Sequence, residues 1–383
     1  MRFNGDRLKS ARIYRGLTVA ELAEKLKLQR QTVSSYENNK ITNPDDSIIK
    51  KMSLILEFPE EYFLEKDNME CRVGSTYFRS LLTTNKKYRN QQIQKMNFIS
   101  VIYLYLNDYI EFPSLNLPEI HEDTDIEEAA MILRNYWKLG ERPINNIIYT
   151  VEQNGILVTS YDTETNDIDA FSQMVKIGEN YIFLIGYSKN KGTAARIHFD
   201  IAHELGHMLL HVWSEDIETL SKEEFKEREN QANEFASAFL LPKEAFIRDI
   251  GDYADRFIYY RELKKKWKVS ISAMIRRSYT LNLIDYNTYQ NLMITMQKRG
   301  IKKHEPLDDV LITAIPSLLK TSVKMLIDEG YLTTKEFMTE LAGDYGLSLN
   351  SREVEILLDL PKDTLKISNI IPMHKFIIKR NKS

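Results

Sequence analysis

The first 65 residues of the chain place apolar side chains at helical spacing between polar faces. An amphipathic helix repeats its apolar positions every three or four residues, and this segment does so several times. Thr18 and Glu21 have the spacing of a capping box, which begins the second helix at Thr18. Turn residues such as Asn43 and Pro44 separate the apolar stripes. The pattern predicts five short helices over residues 1–65.

The middle of the chain mixes helical and strand-like patterns. Helices are predicted over residues 126–139 and 144–152. Three runs between turn residues are typical of strands, and they cover residues 156–161, 171–177 and 181–187. Two further helical runs follow over residues 194–212 and 222–241, and Pro242 ends the second of them. Strands beside helices predict a small α+β domain.

These patterns divide the chain into four expected segments. Residues 1–65 are a helical head, residues 66–125 a helical connector and linker, residues 126–250 the α+β domain, and residues 251–383 a helical C-terminal region. The expected fold class is multidomain and mainly α, with one small central sheet. Amphipathic helices beyond Pro306 indicate a core or a dimer face. A chain of 383 residues is long enough for two or three domains.

Charge and cysteine usage narrow the class of protein. The whole chain has a formal net charge of -3, but the segment through Lys51 carries eleven basic and six acidic residues. A basic head on a near-neutral body indicates a module that binds a polyanion. The single cysteine, Cys71, excludes an intrachain disulfide and favours a reduced, cytoplasmic setting. Because no run of about 18 apolar residues occurs, we expect no membrane partner.

A metal-binding pattern lies inside the helical run 194–212. His203 and His207 are four residues apart, so both imidazoles project from one face of a helix and can bind one cation. Neutral imidazoles suit Zn²⁺. Glu204 lies beside them and can accept a proton from a water molecule that the metal activates, so we expect it to be the general base.

A catalytic zinc site needs a third protein ligand. Glu229 on the next predicted helix is the candidate that we favour, because the 22 residues after His207 allow a loop and an antiparallel return. The remaining carboxylates of that helix stay open as alternatives: Glu223, Glu224, Glu227 and Glu234.

Three other polar residues near this pattern have supporting roles in our interpretation. His211 is one turn past His207, and Asn233 is one turn past Glu229. We expect His211 and Asn233 to contact the ligands rather than the metal, and we expect His198 to be structural.

The helical segment 29–36 of the head is too polar to be a core helix. Val33 and Tyr36 are its inward residues. Gln and Arg can make paired hydrogen bonds to base edges in the major groove, and a Lys after the helix suits phosphate contacts. The predicted DNA-binding residues are Arg30, Gln31, Thr32, Ser35 and Lys40. The alternative is a helical module that binds another protein through a polar face.

The quoted motifs resemble two known families. The sequence Arg196-x-x-Phe199-x-x-Ala202-His203-Glu204-Leu205-Gly206-His207, followed by Glu229-x-x-Ala232-Asn233, resembles the ImmA/IrrE zinc metallopeptidases. Phe78-Arg79-Ser80 is also similar to sequences that precede the protease helix there. The resemblance covers roughly residues 75–290. Segments such as Leu17-Thr18-x-x-Glu21-Leu22-Ala23 and Gln29-Arg30-Gln31-Thr32-Val33 resemble the lambda-repressor-like helix-turn-helix of XRE/Cro type.

The resemblance implies a zincin-like central domain, with Glu229 as the third zinc ligand and a helix-turn-helix repressor as the protein substrate. Asp200 departs from the family pattern, in which a small or hydroxyl residue is more usual, and we expect it to tune activity. Lambda-repressor-like heads usually bind DNA as pairs, so the resemblance implies a homodimer.

Three functions remain open from the sequence. The first is a DNA-tethered zinc endopeptidase that cuts a repressor, another copy of this chain or a DNA-bound partner, with an exposed sheet edge at residues 181–187 holding the substrate as an added strand. The second is a transcriptional regulator in which the metal domain is a sensor or a structural core. The third is a toxin or defence effector whose protease activity is released by a signal.

Overall fold

The computed structural model describes residues 2–65, 71–78, 86–161, 170–177, 180–189, 192–211 and 220–367. Its helices and strands are, in chain order, α1 (Gly5–Tyr14), α2 (Val19–Leu26), α3 (Arg30–Glu37), α4 (Asp46–Leu56), β1 (Cys71–Phe78), α5 (Lys86–Asn107), α6 (Ile126–Tyr136), α7 (Ile147–Glu152), β2 (Ile156–Tyr161), β3 (Ala170–Ile177), β4 (Asn180–Ser188), α8 (Ala194–Leu210), α9 (Lys222–Leu240), α10 (Lys243–Ile250), α11 (Phe257–Trp267), α12 (Ile271–Thr280), α13 (Tyr286–Lys298), α14 (Leu318–Asp328), α15 (Thr334–Gly343) and α16 (Ser351–Leu357).

The chain forms two compact units, and each is built from separate stretches of sequence. The first unit, called the head unit here, contains residues 1–70, 86–110 and 319–383. The second, named the peptidase unit after the family that its sequence resembles, contains residues 71–85 and 111–318. This grouping differs from the four consecutive segments expected from the sequence, because the end of the predicted C-terminal region belongs to the head unit.

The head unit begins with the predicted five helices, since α1 to α4 are followed by a short 3-10 helix at Glu60–Leu64. The capping box at Thr18 is formed, and Glu21 accepts a hydrogen bond from the Thr18 backbone at 2.6 Å. Lys27 has φ 57°, which makes the left-handed turn between α2 and α3. A buried ion pair holds α3 against α1, because Arg12 donates to both oxygens of Glu37 at 2.5 and 2.9 Å.

The C-terminal helices of the head unit are tied to its beginning through Glu353, which is 7% exposed. Its carboxylate accepts hydrogen bonds from Tyr14, and from Arg15 at 2.7 Å, both at the end of α1. The carboxylate of Glu65 also accepts a hydrogen bond from the Ser348 hydroxyl. The late helices are therefore structural parts of the head unit.

The peptidase unit contains a four-stranded sheet with the order β1-β3-β4-β2. β3 pairs antiparallel with both β1 and β4, whereas β2 pairs parallel with β4. Three strands were predicted, but β1 was not. The expectation that residues 181–187 form an exposed edge is wrong, because β4 has a paired strand on each side. The edges of the described sheet are β1 and β2.

Helices α8 and α9 pack against each other at Gly206. A Cβ atom at this position would lie 3.0 Å from Cδ1 of Phe235 and 3.2 Å from Cα of Ala232. The absent side chain therefore allows the close approach of two helices that the sequence predicted. The two helices share an apolar core with α6 and α7 and with the buried faces of β2 and β4, through residues that include Leu133, Val151, Ile185 and Phe239.

The described residues include no helix that is long and apolar enough to cross a membrane.

Candidate metal centre and nucleic-acid interface

His203 and His207 project from the same face of α8 and are both buried. Their Nε2 atoms are 3.1 Å apart. The helix begins cleanly because the Thr193 side chain caps it by accepting a hydrogen bond from the Arg196 backbone. One turn of a rigid helix thus presents two imidazole nitrogens to one point.

Glu229 on α9 completes a cluster whose three ligand atoms all lie within 4.8 Å of one another. Its carboxylate oxygens are 3.5 Å from Nε2 of His203 and 3.2 Å from Nε2 of His207. Tetrahedral zinc with bonds near 2.05 Å separates its ligand atoms by roughly 3.3 Å. The three side chains therefore fit a zinc ion without a change of backbone.

The alternative carboxylates of α9 point elsewhere. Glu223, Glu224, Glu227 and Glu234 are exposed. The Glu224 carboxylate accepts a hydrogen bond from the Ser221 backbone at 2.8 Å in a capping box. These four residues form a solvated face, which leaves Glu229 as the carboxylate beside the two histidines.

The protonation states of the cluster are those that a cation needs. Burial lowers the pKa of His207 to about 4, so the imidazole is neutral at pH 7. Burial alone would raise the pKa of Glu229, but hydrogen bonds with His203 and His207 lower it to about 2. A neutral imidazole and an ionised carboxylate are the forms that bind a metal, which takes the place of the proton between them.

Glu204 lies on α8 next to His203 and is fully buried. Its Oε2 accepts a hydrogen bond of 2.5 Å from the hydroxyl of Ser172, which is itself buried on β3. Ser172 was not predicted from the sequence, because a serine in a strand has no motif of its own. The contact fixes the orientation of the carboxylate and places β3 directly beside the candidate catalytic residue.

His211 and Asn233 lie next to the cluster residues. Nδ1 of His211 is 3.0 Å from Nδ1 of His207, and its Nε2 is 3.0 Å from Oε1 of Gln231. Asn233 donates to the backbone oxygen of Glu229 at 2.7 Å. Both residues are thus positioned to orient the cluster, and their supporting roles stay predictions.

Two other polar residues of α8 lie outside the cluster. His198 is buried, and its Nε2 is 3.1 Å from the Thr313 hydroxyl. Asp200 is buried one turn before His203, and its Oδ2 is 3.8 Å from Nε of Arg196. Asp200 and Asn233 both line a cleft of about 730 Å³. A polar cavity thus begins one turn from the cluster along α8 and α9.

The head unit presents the polar face of α3 to solvent. Arg30, Gln31 and Lys40 are exposed, and Thr32 and Ser35 are half-buried. Val33 and Tyr36 are buried and hold the helix against the head. Lys40 follows the helix in a turn that its backbone N–H closes on the Ser35 carbonyl at 2.9 Å. All five predicted DNA-binding residues are therefore accessible on or just after one helix.

A second basic group lies near α2. Lys87 on α5 donates to the carboxylate of Glu21 at 3.0 and 3.1 Å. Lys87 and Arg30 line one cleft with the first residues of α2. The salt bridge neutralises the carboxylate of Glu21 in the first turn of α2. This contact was not predicted from the sequence, because the two residues lie far apart in the chain.

Two stretches of the chain match known protein families. Residues 151–279 match the family model of the IrrE N-terminal-like domain of peptidase family M78, and residues 8–63 match a helix-turn-helix family. The chain is 37% identical over 67 residues to the HTH-type transcriptional regulator SinR of Bacillus licheniformis, across 17% of this chain and 60% of that regulator. The motif at Phe78-Arg79-Ser80 lies mostly outside the described residues. This chain therefore combines a segment that matches helix-turn-helix domains with a segment that matches the IrrE N-terminal-like domain of peptidase family M78.

Proposed function

We propose that this protein is a DNA-binding zinc metalloendopeptidase that cleaves a transcriptional repressor or another DNA-bound protein. The observation that supports it most is the convergence of His203, His207 and Glu229 on one point, with Glu204 buried beside them. A structural zinc site closes its four ligand positions with protein side chains, whereas in the described part of the chain these three side chains form the cluster and leave one position for a substrate or water.

The chain's own residues perform the remaining tasks of hydrolysis. A bound zinc ion would polarise the substrate carbonyl and lower the pKa of water. Glu204 accepts the proton of the attacking water and then delivers it to the leaving amine nitrogen. Ser172 holds the carboxylate of Glu204 in place through its 2.5 Å hydrogen bond. The burial of all three residues of the α8 motif excludes bulk water, which strengthens each electrostatic contact.

The helix-turn-helix domain supplies the location of the reaction. A domain that binds double-stranded DNA raises the local concentration of any protein bound nearby, because the second encounter becomes effectively intramolecular. A helix-turn-helix repressor on the same DNA is the substrate that we favour.

A second candidate is a transcriptional regulator whose metal domain acts as a sensor. The similarity of the head to SinR, whose name describes a transcriptional regulator, favours this function. Zinc would then regulate DNA binding, and Glu204 would have no catalytic task.

The exchange of Glu204 for Gln distinguishes the two functions. Glu204→Gln keeps the shape of the side chain but removes the base, so we expect full zinc content and a loss of at least about a hundredfold in hydrolysis of unfolded casein or a candidate repressor. His203→Ala should lose the zinc as well. Glu227→Gln, on the exposed face of α9, is the matched control and should behave as the wild type.

Zinc content is measured by elemental analysis and cleavage by mass mapping of fragments. If wild-type protein with a full zinc complement cuts neither substrate, and zinc instead changes DNA affinity, the sensor function replaces the peptidase function.

A further inference from the structure

Strand β1 belongs to the peptidase unit, although the chain on both sides of it belongs to the head unit. The described residues before the strand, up to Glu65, and those after it, from Lys86 to Ile110, belong to the head unit. β1 is therefore a strand of the peptidase unit that lies between two stretches of the head unit in the sequence. Such a segment is connected at both ends to the DNA-binding part of the molecule.

β1 is the sheet neighbour of β3, the strand that contacts the candidate catalytic residue. β1 pairs antiparallel with β3, and Tyr77 is the register partner of Ser172. Ser172 is the residue whose hydroxyl binds Glu204. Adjacent strands lie about 4.8 Å apart, so the backbone of β1 is one strand away from the serine that orients the general base.

An extended peptide binds a sheet by adding a strand to a free edge through main-chain hydrogen bonds. β3 has two hydrogen-bonding edges, and β4 pairs with one of them over the whole length of β3. The other side of β3 is the one that a substrate strand would use to reach Glu204, and β1 covers it. A substrate strand and β1 would therefore compete for the same backbone N–H and C=O groups of β3.

We propose that β1 is an internal pseudosubstrate strand that closes the peptidase until it leaves the edge of β3. The inference rests on the proposed peptidase function. It adds how the activity is regulated and which conformation the substrate adopts. The substrate is an extended segment that pairs antiparallel with Phe171–Val175 in place of β1. Withdrawal of β1 by a rearrangement in the head unit opens the edge.

The pairing of β1 is interrupted in its middle, which makes it easier to remove than a continuous strand. Val73 is the partner of Val175, but Thr76 is the partner of Gln173, so β1 has one extra residue within this stretch. Gly74 lies inside the irregular stretch and has no side chain to pack. A bulge of this kind leaves a residue outside the ladder and divides the strand into two short pairings.

A reversible cross-link tests the proposal. In a Cys71→Ser background, Arg72→Cys with Lys176→Cys places a disulfide between register partners of β1 and β3. The matched control is Lys176→Cys with Tyr181→Cys, which joins register partners of β3 and β4. Facing residues of antiparallel strands have Cα separations of about 4.5 or 5.5 Å, and both suit a disulfide. Only the first disulfide holds β1 in place.

The release variant is Thr76→Pro with Tyr77→Pro. Neighbouring residues of a strand point their N–H groups to opposite sides, so one of the two prolines removes a hydrogen bond to β3. The control is Thr334→Pro, at the first position of α15, where proline is tolerated.

The first measurement uses fluorescence anisotropy with the Glu204→Gln form of each variant and a labelled synthetic peptide that copies residues 71–78, with serine in place of Cys71. If the open state is populated at about 10%, release of β1 raises the apparent affinity about tenfold. The oxidised β1–β3 disulfide should abolish binding, and reduction with a phosphine should restore it. In the variant with the β3–β4 disulfide, the oxidised and reduced forms should bind the peptide equally well.

The second measurement uses the zinc-loaded forms with Glu204 intact and follows hydrolysis of unfolded casein. We expect the variants to rank in hydrolysis rate as they rank in peptide affinity. If the oxidised β1–β3 form binds the peptide or cuts casein as well as its reduced form, β1 does not block the substrate and the proposal is overturned. Equal peptide binding by the release variant and its parent also overturns it. Peptide binding that switches as expected, without casein hydrolysis in any form, would support the strand proposal and count against the peptidase function.

Discussion

Gly206 lies on α8 between the two candidate histidine ligands, and it faces α9. A single methyl group there would press on Ala232 and Phe235, and Glu229 lies less than one turn before Ala232. The distance between the helices therefore also sets the distance between the histidines and the carboxylate. Glycine in a helix costs about 1 kcal/mol relative to alanine, so the site accepts a less stable helix for a shorter separation.

Gly206→Ala should weaken zinc binding and lower the free energy of unfolding of the peptidase unit. Overpacking costs about 1–3 kcal/mol, which exceeds the gain in helix propensity. Gly343→Ala is the matched control, because no atom lies within 4 Å of the added Cβ in α15. Zinc affinity from chelator competition and urea unfolding measure both effects. Equal zinc affinity in the two alanine variants would show that the spacing of α8 and α9 is not critical.

Three buried histidines make the metal-free peptidase unit sensitive to acid. Burial is the main cause that lowers the pKa of His198, His207 and His211, in each case to about 4. The unfolded chain binds these protons near pH 6.5. The contribution of these histidines to the free energy of unfolding is therefore fully present above pH 6.5. It decreases as the pH falls towards 4, because unfolding then takes up protons.

With a chelator present, the free energy of unfolding measured by urea titration should decrease from pH 7 to pH 5, by at most about 1.4 kcal/mol per pH unit for each histidine. His198→Asn should make this dependence shallower, since it removes one buried imidazole that lies outside the metal cluster. An unchanged slope in His198→Asn would mean that this histidine is not buried in its neutral form.

At the scale of elements, the sequence predicted what depends on local patterns. β2 has the predicted bounds, and α8 begins where its pattern begins, since capping residues and helical spacing act within a few positions. β1 was missed because its strand character comes from pairing with residues about a hundred positions away. The edge expected at residues 181–187 failed for the same reason, because edges are set by long-range pairing. The contact of Ser172 with Glu204 is likewise invisible without the sheet.

The recognition helix α3 carries the DNA prediction. Gln31→Ala should reduce affinity by about 1–3 kcal/mol for a duplex selected by the wild-type protein from a random pool, and less for unrelated duplexes. Lys40→Ala should weaken binding to all duplexes and reduce the slope of affinity against salt by about one ion. Lys51→Ala, exposed on α4, is the control for a general loss of charge. A Gln31→Ala variant with unchanged sequence preference would favour a protein-binding role for α3.

At the scale of the whole molecule, each unit takes segments from distant parts of the sequence. Four segments were expected because composition and apolar spacing show where elements lie but not which elements pack together. Glu353 illustrates the difference. Its position in a late helix gave no sign that it binds Tyr14 and Arg15 at the end of α1.

Glu353→Ala should destabilise the head unit by about 1–3 kcal/mol, because it leaves the buried Tyr14 hydroxyl without this acceptor. Hydrogen exchange in α1 should accelerate, and DNA affinity should fall with the folded fraction. Glu329→Ala, exposed at the end of α14, should have no such effect. Unchanged exchange in α1 would show that the late helices do not support the head.

The split composition of the head unit has a consequence for synthesis of the protein. A ribosome releases the helix-turn-helix first, but residues 319–383 of the same unit emerge only after the entire peptidase unit has been made. Until then Tyr14 and Arg15 lack the hydrogen bonds to Glu353, and the first helices lack part of the unit that they pack in. A truncated product that ends before residue 319 would thus carry a weakened head. The full DNA-binding part is finished only on a chain that already contains its metal domain.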